Sequence, residues 1–179
     1  CQFTVRYFAN NGSWNCNMTV FDKYGMNDSN TSSFRINPLV ALNTTAEIDY
    51  GNLVVTQISS MKAVNITNFG NVDINLTLRS YGGLENTKSN ENWTLVCAFN
   101  NISRSYHRWT INGTDTEFAG MTPIANFTTQ VGNMTILQRT NDTAYGSDLN
   151  QTYFQLEVPL TVGGYCNGTL VFAAVVGEP

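Results

Sequence analysis

Apolar and polar residues alternate along most of this chain, and helical periodicity is nearly absent. The stretch KAVNITNFGNVDINLTLRS (62–80) shows the pattern well, because apolar side chains take every second position on both sides of Asn68-Phe69-Gly70-Asn71. This pattern predicts a β-hairpin with its turn at those four residues. The same reasoning predicts further strands at Phe3–Phe8, Met18–Phe21, Glu47–Thr56, Trp93–Phe99, Tyr106–Ile111, Met134–Gln138, Thr152–Val162 and Tyr165–Val176.

Clusters of Gly, Asn and Asp, such as YGGLEN (81–86) and TNDTAYGSD (140–148), separate the predicted strands. Many short strands with such turns are typical of an antiparallel β-sandwich of the jelly-roll or immunoglobulin-like kind. A length of 179 residues suits one domain with a well-formed core. The sequence therefore predicts an all-β fold, with neither a domain boundary nor a strict repeat.

The two terminal strands differ in their pattern. The last one, Tyr165–Val176, is apolar on both faces and is expected to be central and covered on both sides. In the first, Phe3, Val5 and Tyr7 alternate with polar residues, and a flexible link follows. Ten extended residues reach about 33 Å, which is enough to leave one sandwich and lie in the groove of a neighbour. We therefore divide the chain into an N-terminal donor strand, 1–10, and a head domain, 11–179.

Charge is scarce in this chain. Only 12% of the residues are charged, against roughly a quarter in a typical soluble domain, and the formal net charge is −4. The few lysines are Lys23, Lys62 and Lys88. No basic stripe is present that would neutralise phosphates, so the sequence argues against nucleic acid as a partner.

Acceptor triplets for N-linked sugar, Asn-x-Ser/Thr, occur 15 times. The chain has 24 Asn and 33 Ser plus Thr, and a random order of these residues predicts roughly 4 such triplets. The excess predicts an exported glycoprotein whose only expected non-protein group is covalent sugar. The acceptor asparagines are Asn11, Asn17, Asn27, Asn30, Asn43, Asn65, Asn75, Asn92, Asn101, Asn112, Asn126, Asn133, Asn141, Asn150 and Asn167.

Several of these triplets lie within predicted strands and have an apolar middle residue. Because side chains alternate between the two faces of a strand, Asn75 and Thr77 share one face while Leu76 points to the other. The sugar can then lie outside while its neighbour packs inside. The triplets of this form begin at Asn65, Asn75, Asn92, Asn101, Asn126 and Asn133.

Two further features of the sequence are consistent with export. No apolar run approaches the roughly 20 residues of a membrane span. The chain begins with Cys1 rather than Met, which we interpret as a mature protein whose export signal has been removed.

The four cysteines, Cys1, Cys16, Cys97 and Cys166, are an even number in an apparently exported chain, so disulfides are expected. Three pairings are possible. Cys97 and Cys166 lie on predicted core strands and could join the two sheets. Cys1 and Cys16 could close the N-terminal loop, or Cys1 could bond a neighbouring chain. The spacing is not that of a zinc site.

No motif in the sequence indicates catalysis. The sole histidine, His107, could be a general base or a ligand, but a strand histidine packed beside an aromatic ring is the favoured interpretation. Asp115 and Glu117 in GTDTE (113–117) could contribute to a calcium site, although they lack EF-hand spacing and a solvated turn is favoured. No carboxylate pair for glycoside hydrolysis is singled out by its context. We therefore expect no enzymatic activity, no catalytic residues and no bound metal.

Two segments resemble a known group of proteins. DYGNLVVTQISSMKAVNITNFGNVDINLTL (49–78) contains an N-x-G-N turn, and LEVPLTVGGYCNGTLVFAAVV (156–176) contains G-x-x-x-G-T-L. Together they are similar to TasA/camelysin-like filament subunits, among them the archaeal bundling pilins and the thread filaments of Sulfolobales. The resemblance covers about a third of the chain. It implies head-to-tail polymerisation by donor-strand complementation, with Gln2 to Ala9 as the donor and Phe3, Val5 and Tyr7 filling acceptor pockets.

These features together predict a glycosylated subunit of an extracellular, cell-surface filament that serves adhesion and biofilm formation. Its partners would be identical subunits, other filaments and cell surfaces. Two other hypotheses remain open at this stage. One is a monomeric cell-surface or S-layer-associated binding module, and the other is a glycan-shielded viral surface protein.

Overall fold

The predicted all-β fold is confirmed by a computed structural model, which describes residues 4–84, 92–114, 117–142 and 146–177. The helical content of the described part is two single 3-10 turns, Arg104–Tyr106 and Phe118–Gly120. No helix within these ranges is both long enough and apolar enough to cross a membrane. The strands are β1 (Gly12–Phe21), β2 (Asn27–Ile36), β3 (Leu42–Thr44), β4 (Lys62–Asn68), β5 (Ile74–Gly82), β6 (Trp93–Phe99), β7 (Asn101–Ser103), β8 (His107–Thr110), β9 (Thr122–Pro123), β10 (Thr129–Ile136), β11 (Leu149–Leu156) and β12 (Gly163–Val176).

The strands form two five-stranded antiparallel sheets and one separate two-stranded ribbon. The first sheet has the order β10-β5-β12-β6-β7, and the second has the order β3-β4-β11-β8-β9. The ribbon is a hairpin of β1 and β2, which pair only with each other from Gly12↔Ile36 to Phe21↔Asn27. The hairpin is not part of either layer of the sandwich.

The main core lies between the two sheets. Alternate apolar residues of β4 and β5 face one another there, and Ile66, Ile74 and Leu76 are fully buried. Phe154 on β11 is also fully buried and meets the ring of Phe172 on β12 edge to face, with ring centroids 6.1 Å apart. This packing explains why the apolar positions repeat every second residue in both strands.

The predicted hairpin at 62–80 is wrong, although both of its strands exist. β4 pairs with β3 and β11, whereas β5 pairs with β10 and β12, so the connection at Asn68–Asn71 crosses from one sheet to the other. The buried Asn68 side chain stabilises this connection between the sheets. Its Nδ2 donates to the carbonyls of Val72 and Leu137, and its Oδ1 accepts from Gly70 N. Alternation gives the buried face of each strand but does not give its neighbour.

The predicted strand at Glu47–Thr56 is also wrong. Residues 45–57 form no strand, and the nearest pairing is an isolated bridge between Ile58 and Glu157. Gly51 and Thr56 have φ values of 72° and 65°, and a left-handed residue interrupts an extended strand. Tyr50 and Leu53 are nevertheless partly buried against the core, which explains the apolar alternation of this segment.

The last strand lies between β5 and β6 as expected, but it is not covered on both faces. Leu170, Phe172 and Ala174 pack against the core, whereas Ala173 and Val175 on the opposite face are exposed. Disulfide bonding was expected with three pairings open, and the structure forms the bond between Cys97 and Cys166. It joins neighbouring strands β6 and β12 within one sheet, however, and does not connect the two sheets.

Candidate assembly surfaces

The second half of β12 has one edge that pairs with no residue the structure describes. Residues Gly168–Val176 pair with β5, and β6 pairs with β12 only at Gly163–Asn167. On their other edge, residues 170–176 make no backbone hydrogen bond to any part of the chain that the structure describes. An unpaired edge presents a row of backbone N–H and C=O groups with which another strand can pair.

A groove of about 760 Å³ runs beside the same strand. One wall is β12 from Gly163 to Phe172, and the other is the irregular segment 44–53. Its floor contains core residues such as Val64, Ile102 and Leu156. The groove therefore meets the unpaired edge of β12 at Leu170 and Phe172, where apolar side chains lie beside backbone groups that have no described partner.

His107 is buried beneath this groove and is hydrogen-bonded through both ring nitrogens. Its Nε2 lies 2.7 Å from the hydroxyl of Tyr50, and its Nδ1 lies 2.7 Å from Oγ1 of Thr94. Burial lowers the pKa of His107 to about 4 and raises the pKa of Tyr50 above its usual value. A neutral imidazole donates at one nitrogen and accepts at the other, so both nitrogens are occupied by the protein itself.

The predicted donor segment does not form a strand in the single chain. Residues 4–6 are irregular, and a turn closed by Ala9 N donating to Arg6 O follows. Val5 and Tyr7 are 46% and 43% exposed, while Gln2 and Phe3 lie outside the described residues. The segment rests on the surface of its own chain, where Arg6 forms an ion pair with Asp142 at 3.1 Å. The sequence prediction of a donor role is not tested by these contacts.

Asn71 fixes both ends of the β1–β2 hairpin to the sandwich. Its side chain is buried, and its Nδ2 donates to the carbonyls of Ala9 at 2.9 Å and Asn37 at 3.2 Å. Its Oδ1 accepts from Leu39 N at 2.6 Å. Ala9 precedes β1 and Asn37 follows β2, so one amide side chain holds the two roots of the hairpin together.

Sequence reasoning missed this hairpin, apart from the prediction of Met18–Phe21. The signal was present in β1, where Trp14, Cys16, Met18 and Val20 alternate with polar residues. The second strand, NDSNTSSFRI, is almost entirely polar and gives no alternation, because most of its side chains are exposed on both faces. A polar strand in a protruding ribbon cannot be distinguished from a loop by periodicity.

The sugar-acceptor asparagines lie at the surface wherever their side chains are described. Of the fourteen described, none is buried. Nine are exposed, namely Asn11, Asn17, Asn27, Asn30, Asn43, Asn65, Asn92, Asn112 and Asn141, and five are half-buried, namely Asn75, Asn101, Asn126, Asn150 and Asn167. By contrast, Asn68 and Asn71, which begin no acceptor triplet, are completely buried.

The expectation that the middle residue of a strand triplet packs inside is confirmed for four of the six triplets. Ile66, Leu76, Ile102 and Met134 are buried. It is wrong for the other two, since Trp93 is 37% exposed and Phe127 is 67% exposed. Trp93 begins strand β6 and Phe127 lies before strand β10, where no sheet covers the inner face.

Two further predictions concern the remaining cysteines and acidic residues. Cys16 forms no disulfide with any described residue and is half-buried in β1, and Cys1 lies outside the described residues. Glu117 is exposed, and Asp115 lies outside the described residues. Within the described ranges, no three His, Cys, Asp or Glu side chains are grouped as a metal site would require.

Comparison with protein-family models finds no match, and comparison with curated proteins finds none. Among solved structures, the fold is similar to a chain described as "Chaperone-tip adhesin complex is vital for synergistic activation of CFA/I fimbriae biogenesis", with a TM-score of 0.43 and 12% sequence identity. The similarity covers 94% of this chain and 54% of that chain, so this chain spans about half the length of the structure it matches. At this level the likeness concerns general β architecture, and no residue role is transferred from it.

Proposed function

We propose that this chain is a structural subunit of an extracellular filament that polymerises by donor-strand complementation. The observation that carries the proposal is the edge of β12 that has no described partner, beside a groove whose floor contains apolar core residues. A strand added along residues 170–176 would satisfy the free backbone groups and cover Leu170 and Phe172, which are only half-buried. The acceptor edge and the N-terminal donor are different surfaces, so the contact is heterologous and propagates into a filament.

The N-terminal segment remains the donor that we propose. Its alternate apolar residues Phe3, Val5 and Tyr7 match the period of an extended strand. In the single chain, Val5 and Tyr7 are almost half exposed, and complete burial in a neighbour's groove would gain roughly 1 kcal/mol for each side chain. The surface contacts of residues 4–8 would be exchanged at small cost, since an exposed ion pair such as Arg6–Asp142 contributes little, whereas Ala9, whose carbonyl accepts from the buried Asn71, would stay in place.

The glycoprotein and cell-surface parts of the proposal rest on two further observations. The described acceptor asparagines all remain accessible, although most of them lie on or beside strands. The Cys97–Cys166 disulfide is typical of proteins that mature outside the reducing cytosol. Filaments of this kind serve adhesion and biofilm formation, and we propose the same roles here, with a structural rather than catalytic function for the buried His107.

Substitution within the donor tests the proposal directly. Val5→Asp/Tyr7→Asp should prevent filament formation by the purified full chain, because two carboxylates would have to be buried against core side chains in the floor of a groove that is also lined by Glu47 and Asp49. Thr4→Asp is the matched control, since residue 4 lies on the opposite face of an extended segment and should still assemble. Electron microscopy and light scattering report the outcome. Filaments of normal length and yield from Val5→Asp/Tyr7→Asp would exclude this donor.

A further inference from the structure

One wall of the groove is an irregular segment that is fixed at both ends. We call residues 46–53 the strap. Before the strap, Thr45 N donates to Asn65 O at 3.1 Å, and Thr45 Oγ1 accepts from Asn65 N at 3.0 Å. After it, Thr56 N donates to Val158 O at 2.7 Å. The strap is therefore held to β4 at one end and to the residues that follow β11 at the other.

Between these ends, a single hydrogen bond joins the strap to the rest of the chain that the structure describes. It is the contact of 2.7 Å between the hydroxyl of Tyr50 and Nε2 of His107. A second hydrogen bond, from Gly51 N to Oδ1 of Asp49, lies within the strap itself. Segments with so few hydrogen bonds to their surroundings are the ones that open locally at a low free energy.

The strap has the side-chain pattern of a donor strand. Ile48 and Tyr50 pack against the main core, and Asp49 between them is exposed. Leu170 and Phe172 pack against the same core from the other wall of the groove. This two-residue alternation explains why the sequence predicts a strand here. A strand that enters the groove to cover β12 competes with the strap for the same space.

Tyr50 also completes a buried polar chain beneath the groove. His107 Nδ1 lies 2.7 Å from Oγ1 of Thr94, which lies 3.4 Å from Oγ of Ser80. These three residues belong to β8, β6 and β5, so the chain crosses from one sheet to the other, and Tyr50 is its one member outside the strands. When Tyr50 leaves, water in the groove can take its place at Nε2, so the hydrogen bond is exchanged rather than lost.

We propose that the strap closes the groove in the single chain, latched by the hydrogen bond between Tyr50 and His107, and that an entering donor strand displaces it. This inference rests on the proposed function, because it states what occupies the groove before the donor does. The closed strap lowers the affinity for a donor, since only the fraction of molecules with an open groove can bind one.

Thiol labelling measures the opening of the strap in the full chain, below the concentration at which assembly begins. Ile48→Cys places a thiol on the half-buried face of the strap, and peptide mass spectrometry separates its reaction with a maleimide from that of Cys16. Adding Tyr50→Phe should raise the labelling rate at residue 48 about fivefold, because the substitution removes the latch and leaves Nε2 of His107 without its partner in the closed state.

Tyr153→Phe, added to Ile48→Cys, is the matched control. It also removes one hydroxyl hydrogen bond, the contact of 2.6 Å from Tyr153 to Gln151, but Tyr153 does not line the groove. It should change the labelling rate at residue 48 less than about twofold. Circular dichroism melting checks that each variant folds.

Assembly should shift by the same factor as labelling. If the strap has to open before a donor enters, Tyr50→Phe should lower the protein concentration at which filaments begin to form by about fivefold. Tyr153→Phe should leave this concentration within about twofold of the parent. In filaments of Ile48→Cys, the thiol should react about fivefold faster or more than in the single chain, because the donor keeps the strap displaced.

The outcomes separate this inference from the proposed function. Equal labelling rates in the Tyr50→Phe and Tyr153→Phe variants would overturn the latch. Filaments in which the amides of residues 170–176 become protected from exchange, while the thiol at residue 48 stays shielded, would overturn the displacement and leave donor-strand exchange intact. A chain that stays monomeric at all concentrations would overturn the proposed function and the displacement with it, whatever the labelling rates.

Discussion

Replacement of Asn71 by Ala is expected to loosen the hairpin and destabilise the protein. The Asn71 side chain makes three hydrogen bonds, to Ala9 O, Asn37 O and Leu39 N, and it is only 1% exposed. Each bond contributes about 1 kcal/mol, so Asn71→Ala should lower the free energy of unfolding by about 3 kcal/mol. The loss should be concentrated at the hairpin roots, because these three bonds join the roots to the turn between β4 and β5.

The size-matched substitution Asn71→Asp sharpens the test. The carboxylate retains an acceptor for Leu39 N, but it loses both donors and faces the carbonyl oxygens of Ala9 and Asn37. It should therefore be at least as destabilising as Ala at neutral pH, and partly recover at a pH low enough to protonate it. Asn52→Ala, at an exposed asparagine outside any acceptor triplet, is the control and should change stability little.

Urea denaturation followed by far-UV circular dichroism measures the stability change, and hydrogen exchange of the Leu39 amide measures the local opening. In Asn71→Ala, the Leu39 amide should lose protection more than the amides of β4. A change in the free energy of unfolding below about 0.5 kcal/mol, with unaltered exchange at Leu39, would refute the anchoring role.

Three other predictions follow from individual contacts. Removing the disulfide with Cys97→Ala/Cys166→Ala should cost about 4 kcal/mol, because it closes a loop of 69 residues; thermal unfolding that stays unchanged would contradict this. His107 has a folded-state pKa of about 4, below its usual value of 6.5, so its contribution to stability is complete above pH 6.5 and is lost as the pH falls toward 4. Urea denaturation at pH 7 and pH 4.5 should show this loss, and His107→Gln should reduce it; an equal loss in both proteins would assign it to other groups. Mass spectrometry of protein from the cells that make it should find sugar on exposed acceptors such as Asn43 and Asn65, and acceptor sites without sugar throughout would contradict the glycoprotein interpretation.

Alternation in the sequence predicted the buried faces but not the sheet partners. The apolar positions of β4 and β5 were correct, yet the two strands lie in opposite sheets. A two-residue period indicates which face of a strand is buried. Both a hairpin and a connection that crosses between sheets are compatible with it. The crossing connection is stabilised by Asn68, whose side chain donates hydrogen bonds to backbone carbonyls more than sixty residues away in the sequence.

The candidate surfaces were only partly accessible to sequence reasoning. The sequence left three cysteine pairings open, and both the bond between Cys97 and Cys166 and its place within one sheet depend on strand order. The apolar pattern of β12 suggested cover on both faces, whereas Ala173 and Val175 on its outer face are exposed.

Hydrogen exchange along residues 170–176 of β12 tests the central claim most directly. In the single chain, the amides that face away from β5 have no partner among the described residues and should exchange quickly. In assembled filaments, those amides should become protected by several orders of magnitude, while the amides bonded to β5 change little. Equally fast exchange before and after assembly would show that no neighbouring strand occupies this edge.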